Sequence, residues 1–117
     1  DHPIPKLTIA GGFGKLSKLA EGHMDLHSKR SQVDVAALAS LAAELTDEES
    51  LLSRVRTAET AGQALLAAEE AGLPLGDAVA AKARTVCVGE LRGAADVEVI
   101  VYDRQGQVVG EAPFDSQ

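Results

Sequence analysis

The chain has 117 residues, 45% of them hydrophobic and 25% charged, with a net charge of −7 at neutral pH. That length suits one domain with one core, the composition is that of a soluble globular protein, and the negative charge excludes general DNA binding. Aromatic residues make up only 3%, which also excludes a platform for stacking nucleic-acid bases and leaves the core to Ala, Leu and Val.

The single cysteine, Cys87, cannot form an internal disulfide, which fits a reducing compartment. No apolar run approaches the roughly 20 residues needed to span a bilayer. The first residues lack the charged-then-apolar pattern of a secretory signal. The expectation is a cytoplasmic protein with neither nucleic acid nor membrane as partner. Charge is unevenly spread: residues 1–31 hold five Lys and Arg against three Asp and Glu, and the remainder carries a net −9. A locally basic segment on an acidic domain points to a small anionic ligand; the plainer reading is a solvated face carrying some lysines.

Taken in order, residues 1–5 contain Pro3 and Pro5 and read as loose, extended chain, like the cut end of a linker. Leu7, Thr8 and Ile9 predict a short strand. Gly11, Gly12 and Gly14 then allow a sharp turn and a close approach of backbone to another group. Phe13, Leu16, Leu19 and Ala20 recur at helical spacing, and Gly22 closes that helix. The first N–H groups of such a helix lack partners and sit at the positive end of its dipole, so an anion can rest on them. Lys15 and Lys18 add two cations nearby. The loop that follows gathers His23, Asp25, His27, Ser28, Lys29 and Arg30.

Ser31 with Asp34 resembles a capping box, and Val35, Leu38, Ala42 and Leu45 form an apolar stripe, which predicts a helix over 32–45. The acids of Thr46-Asp-Glu-Glu49 open a further helix with Leu51, Leu52, Val55, Ala58, Leu65 and Leu66 on one side. Gly62 inside it costs about 1 kcal/mol relative to Ala and marks a close contact or a break. Gly72 and Pro74 stop the run. Asp77 is expected to cap a last helix reaching to about Leu91, with Val79, Ala83, Val86 and Cys87 inward. Val97–Tyr102 is the clearest strand, Asp103–Gly106 a turn, and Gln107–Glu111 a returning strand. Residues 113–117 are expected to be loose. The expected class is therefore α/β: a small three-stranded sheet, made of the N-terminal strand and the C-terminal hairpin, covered by about four helices in the order β-α-α-α-α-β-β. Residues 1–117 form a single domain, and so thin a sheet suggests a fragment of a larger two-domain enzyme.

The glycine stretch is not a Walker A loop, because Gly14-Lys15 is followed by Leu16 and no glycine stands at the required distance before it. It is nearer to the dinucleotide fingerprint, with Gly12, Gly14 and Ser17 at the three positions, but the acid expected after a second strand is missing. The alternative is a turn that needs glycine for geometry alone. His23, Asp25 and His27 alternate as metal ligands can, yet no further ligand follows at suitable spacing, so no metal is assigned. Ser28 beside His27 is only a sequence neighbour, and no nucleophile–base pair stands out. Cys87 reads as an inert core residue and Tyr102 as packing.

The segments Gly11-Gly-Phe-Gly-Lys-Leu-Ser-Lys-Leu-Ala20, Gly22-His23, Asp25-Leu-His-Ser28 and Val33-Asp34 closely resemble the C-terminal part of the CbiD family, the cobalt-precorrin-5B C1-methyltransferases of cobalamin biosynthesis. The strand and turn from Val97 to Gly106 also resemble the end of that family. The likeness covers essentially the whole chain but only the C-terminal part of a typical member. The resemblance implies methyl transfer from S-adenosylmethionine, as co-substrate, to C1 of a cobalt-bound corrinoid carrying acetate and propionate arms. It implies an N-terminal domain of the same polypeptide as partner, and an isolated fragment that is inactive. Gly11, Gly12, Gly14, Lys15 and Lys18 are then candidates for binding anionic groups of donor or substrate. His23, Asp25, His27, Ser28 and Arg30 are candidates for binding substrate. No catalytic residue is assigned. The reading from another class is a non-catalytic α/β module that binds an anion or a partner.

Overall fold

The structure is a computed structural model that describes residues 4–22 and 35–115. Eight elements follow in order: β1 (Lys6–Gly12), α1 (Phe13–Ala20), α2 (Val35–Ala43), α3 (Glu49–Arg56), α4 (Ala61–Glu70), α5 (Leu75–Glu90), β2 (Asp96–Tyr102) and β3 (Val108–Ala112). The strands form one sheet in the order β1-β2-β3, with β1 parallel to β2 and β2 antiparallel to β3. The expected sheet of N-terminal strand plus hairpin is the observed one. Among the described residues it carries five helices rather than four.

The additional helix comes from a break in the segment read as one helix from Thr46 to Gly72. Helix α3 ends at Arg56 and α4 starts at Ala61. Two threonines make the break. Thr57 Oγ1 turns back to the Ser53 carbonyl at 2.8 Å, and Thr60 caps α4 by accepting the Gln63 N–H at 3.1 Å. The Gln63 side chain in turn accepts the Glu59 N–H at 2.9 Å, so Thr60-Ala-Gly-Gln63 works as a variant capping box. Gly62 is thus the second residue of α4 and not the site of the break. The interruption resets the helical phase: Leu65 is buried as expected, but Leu66 is 55% exposed.

One face of the sheet is covered by helices. Along β2, Val97, Val99 and Val101 have no exposed surface, while Glu98, Ile100 and Tyr102 between them are half-buried. That is the period-two pattern of a strand with one face in the core. Burying each valine stabilises the fold by about 1.5–3 kcal/mol. Helix α5 lies on this face with Leu75, Val79, Ala80 and Ala83 wholly enclosed. Its first turn touches β3 backbone to backbone: a methyl group on Gly76 would overlap the Val109 carbonyl, and one on Gly110 would overlap the Gly76 carbonyl. Asp77 does not cap this helix. Pro74 precedes the first turn, which starts at Leu75 because Leu75 and Gly76 must already be helical to pack, and the Asp77 carboxylate instead accepts the Glu111 N–H of β3 at 3.0 Å.

Farther along α5, Arg84 donates from Nε to the Val97 carbonyl at 2.6 Å and pairs with the buried Asp96 at 3.2 Å and with Asp115 at 3.0 Å. Burial opposes the Arg84 charge, but its hydrogen bonds to Asp115 and Asp96 outweigh that and push its pKa up. The segment from Pro113, read as a loose end, carries contacts through Asp115. The Asp115 N–H donates to Asp96 at 2.9 Å, and Phe114 lies 5.2 Å beneath the Lys6 ammonium. The expected N-terminal half-turn of α2, with Ser31 and Asp34, lies outside the described residues.

The glycines of α5 give an opposed pair of outcomes. Gly76→Ala forces backbone apart and is expected to destabilise the fold by about 3 kcal/mol or more. Gly89→Ala meets no neighbour within 4 Å and is expected to stabilise it by roughly 0.5–1 kcal/mol through helix propensity. Equilibrium urea denaturation reads both.

Candidate functional site

Strands β1 and β2 run side by side and end together, with Gly12 opposite Tyr102. Beyond parallel strand ends the chain diverges, which is where open α/β sheets form ligand crevices. Here α1 leaves directly from Gly12, and the start of α4 comes across to face it. Between them lies a groove of about 670 Å³. Gly12, Phe13 and Gly14 form one wall, Thr60 to Gln63 with Leu65, Leu66 and Glu69 the second, and Tyr102 to Gln105 the floor of the hairpin side. The exposed Leu66 belongs to this groove.

The groove holds charges of both signs. No side chain caps the first turn of α1. Its first N–H groups, and those of Ala61 and Gly62 at the start of α4, where Thr60 takes the Gln63 N–H, present positive helix ends to the same space. Arg104 adds a full positive charge, opposed by Glu69 and Asp103 on the lining. The exposed Leu66 and the half-buried Tyr102 supply apolar and aromatic surface. Asp103 Oδ1 is engaged by the N–H groups of Gln105 and Gln107, each at 2.9 Å, which fixes the turn after β2. An acid therefore does follow the second parallel strand, although the sequence, read for local spacing, offered none.

The sequence-predicted residues fall in three places. Gly12 and Gly14 line the groove. Gly11 faces α1 from within β1, where a methyl group would stand 2.7 Å from Leu16 Cδ2, so it is glycine for close approach. None of these three has a positive φ; among the described residues that conformation occurs at Gly22, Gly72, Arg92, Gly93 and Gly106. Lys15 is exposed and Lys18 half-buried, and neither is among the residues lining the groove. His23, Asp25, His27, Ser28 and Arg30 lie outside the described residues. Ser17, third in the fingerprint, is buried and donates to the Phe13 carbonyl at 2.7 Å. Among the described residues no group of three His, Cys, Asp or Glu is placed to hold a metal ion. No described helix is long and apolar enough to cross a membrane.

Local reading missed Thr60, Gln63, Tyr102, Asp103 and Arg104 as parts of this wall. The signal for the first two was present in Thr-x-x-Gln. Two further cavities lie away from the strand ends. One of about 400 Å³ between α1, α2 and α5 is lined by Leu38, Leu41, Val79, Glu21, Glu44 and Lys82. Another of about 910 Å³ beside α5 and β3 is ringed by Asp77, Glu98, Glu111 and Asp115, with Arg84 already paired.

Taken together, the fold and groove define an α/β domain with a glycine-bounded crevice at its parallel strand ends. The chain belongs to the CbiD family of C-terminal domains, whose model matches residues 25–113. It is 54% identical over 112 residues to the cobalt-precorrin-5B C(1)-methyltransferase of Rhodospirillum rubrum, an alignment covering 95% of this chain and 31% of that protein. The proteins of the same name from Pseudomonas putida strain F1 and from Burkholderia pseudomallei are 48% and 47% identical over 110 residues, covering 94% of this chain and 30% of each. The chain thus spans just under a third of the length of the curated relatives it matches. No solved structure matches it.

Cys87, the lone thiol, is buried on α5; burial and then the nearby Glu90 charge push its pKa up. A thiol raised above its unfolded value of about 8.5 stabilises the fold while neutral, and that contribution is lost as pH rises through the folded value. Between pH ~7 and pH ~10 the protein is therefore expected to lose more stability than its Cys87→Val variant, as urea titrations at the two pH values will show.

Proposed function

We propose that this chain is the C-terminal part of an S-adenosylmethionine-dependent methyltransferase that methylates C1 of cobalt-precorrin-5B in cobalamin biosynthesis. The observation that carries the proposal is the 54% identity, over 95% of the chain, to a protein of that name. The remainder of the enzyme is an N-terminal domain of the same polypeptide, the whole is cytoplasmic, and this domain alone is inactive.

Within that reading the groove is assigned to the methyl donor. Its volume of about 670 Å³ lies inside the range that encloses ligands of that size, roughly 300–1,000 Å³. The free N–H groups of α1, with Arg104, suit the donor's carboxylate. Leu66 and Tyr102 suit its adenine, and the carboxylate of Asp103 suits a ribose hydroxyl. The corrinoid's carboxylate arms are assigned to Lys15, Lys18, His27 and Arg30, with His23, Asp25 and Ser28 as further polar partners and Gly11 shaping the approach of α1 to β1. The donor brings an electrophilic methyl group on a sulfonium. The protein's task is to hold that methyl in line with the acceptor carbon and to keep water out, which supplies much of the rate in such a transfer.

The test uses the full-length enzyme. Gly12→Leu places a side chain where nothing stands within 4 Å, so the fold is expected to survive while donor affinity falls at least about tenfold by calorimetry. Lys15→Ala and His27→Ala are expected to weaken corrinoid binding and spare the donor. Unchanged donor affinity in both Gly12→Leu and Arg104→Ala removes the groove from the site.

A further inference from the structure

The sheet has two edges, and they differ in kind. Strand β3 is short, its pairing with β2 slips between Val101 and Tyr102, it carries Glu111, and Pro113 follows at once. Those are the devices that protect an edge from pairing with other strands. Strand β1 has seven residues in unbroken register with β2, with no proline between Lys6 and Gly12.

The Asp96 N–H donates to the Pro5 carbonyl at 2.9 Å. In a parallel ladder the bonding residues alternate, so Leu7, Ile9 and Gly11 also turn their backbone groups towards β2. Thr8 and Ala10 turn theirs to the open edge, where no described residue meets them. Leu7, on the helix-covered face opposite Val97, is 42% exposed, and Ile4, just before the strand, is 52% exposed. A seven-residue edge in unbroken register, with a charge only at its first position, invites pairing unless something covers it.

The relatives offer an occupant. The matched region, of which residues 25–113 fit a C-terminal domain model, makes up 31% or less of their length, so more than two thirds of that polypeptide lies outside it and, for a C-terminal domain, chiefly before it. We propose that a strand from that preceding polypeptide pairs along the outer edge of β1, bonds to Thr8 and Ala10, and covers Leu7. The sheet of the intact enzyme then has at least one more strand, shared between its two parts. The inference rests on the family reading and is independent of the groove's assignment.

Hydrogen exchange of the full-length protein, resolved to single amides, tests it. The amides of Leu7 and Ile9 are bonded to β2 in any case and serve as the internal reference. Thr8 and Ala10 are expected to exchange at least about 100-fold more slowly than in unstructured chain. Ala10→Pro removes only an outward N–H, which an edge strand tolerates. It is expected to release Thr8 to fast exchange while Leu7 stays protected. Thr8 and Ala10 exchanging at unstructured rates beside a protected Leu7 overturns the proposal. Protection that vanishes on dilution, as sedimentation shows a dimer dissociating, also overturns it, in favour of a second copy. The readout needs no turnover, so its failure leaves the methyltransferase proposal standing, and failure of the donor titrations leaves this one standing.

Discussion

Helix α5 meets strand β3 with no side chain between them, at Gly76 and Gly110, and the domain is arranged around that approach. Because the two backbones touch, the first turn of α5 sits low on the sheet, and its small and branched residues reach Val97, Val99 and Val101 directly. The contact is directional as well as close. Asp77 ties the first turn to Glu111, and Arg84 ties the later turns to Val97, Asp96 and Asp115. With α5 pinned at both places on the sheet, α1 and α4 pack against it from the side and close the core. A domain with few aromatic residues has little large apolar surface to bury, and it compensates by bringing backbones together over Gly and Ala.

The groove follows from that arrangement. Seating α5 on the sheet leaves the carboxyl ends of β1 and β2 open above it. The short α1 starts at the strand end, and the break between α3 and α4 turns the start of α4 to the same place. Without the break, a continuous helix would carry Leu66 inward and present no second helix start to the groove. The Thr57–Thr60 interruption, four residues of local hydrogen bonding, therefore decides the shape of the site more than any side chain lining it.

The two edges of the sheet are protected differently. One is guarded by a register slip, a charge and a proline. The other keeps an unbroken register with β2 and has outward backbone groups that no described residue meets.

Much of the fold was legible in the chain itself. The strands at either end, the helical stripes of α1 and α2, the turn at Asp103–Gly106 and the stop at Gly72 all rest on period, turn chemistry and left-handed glycine, which are local properties. The resemblance carried by residues 11–34 likewise needs no structure. Local reading misjudged two things. It ran α3 into α4, because a single apolar stripe masks a capping threonine. It made Asp77 a cap, when its carboxylate serves a strand far along the chain. Only the tertiary structure decided that β1 and β2 are neighbours, joined by Thr8 to Glu98 across 90 residues at 2.8 Å, and so put Gly12, Thr60 and Asp103 around one space. Each of those choices depends on contacts between distant segments, and the energy of such contacts is written in no single stretch of sequence.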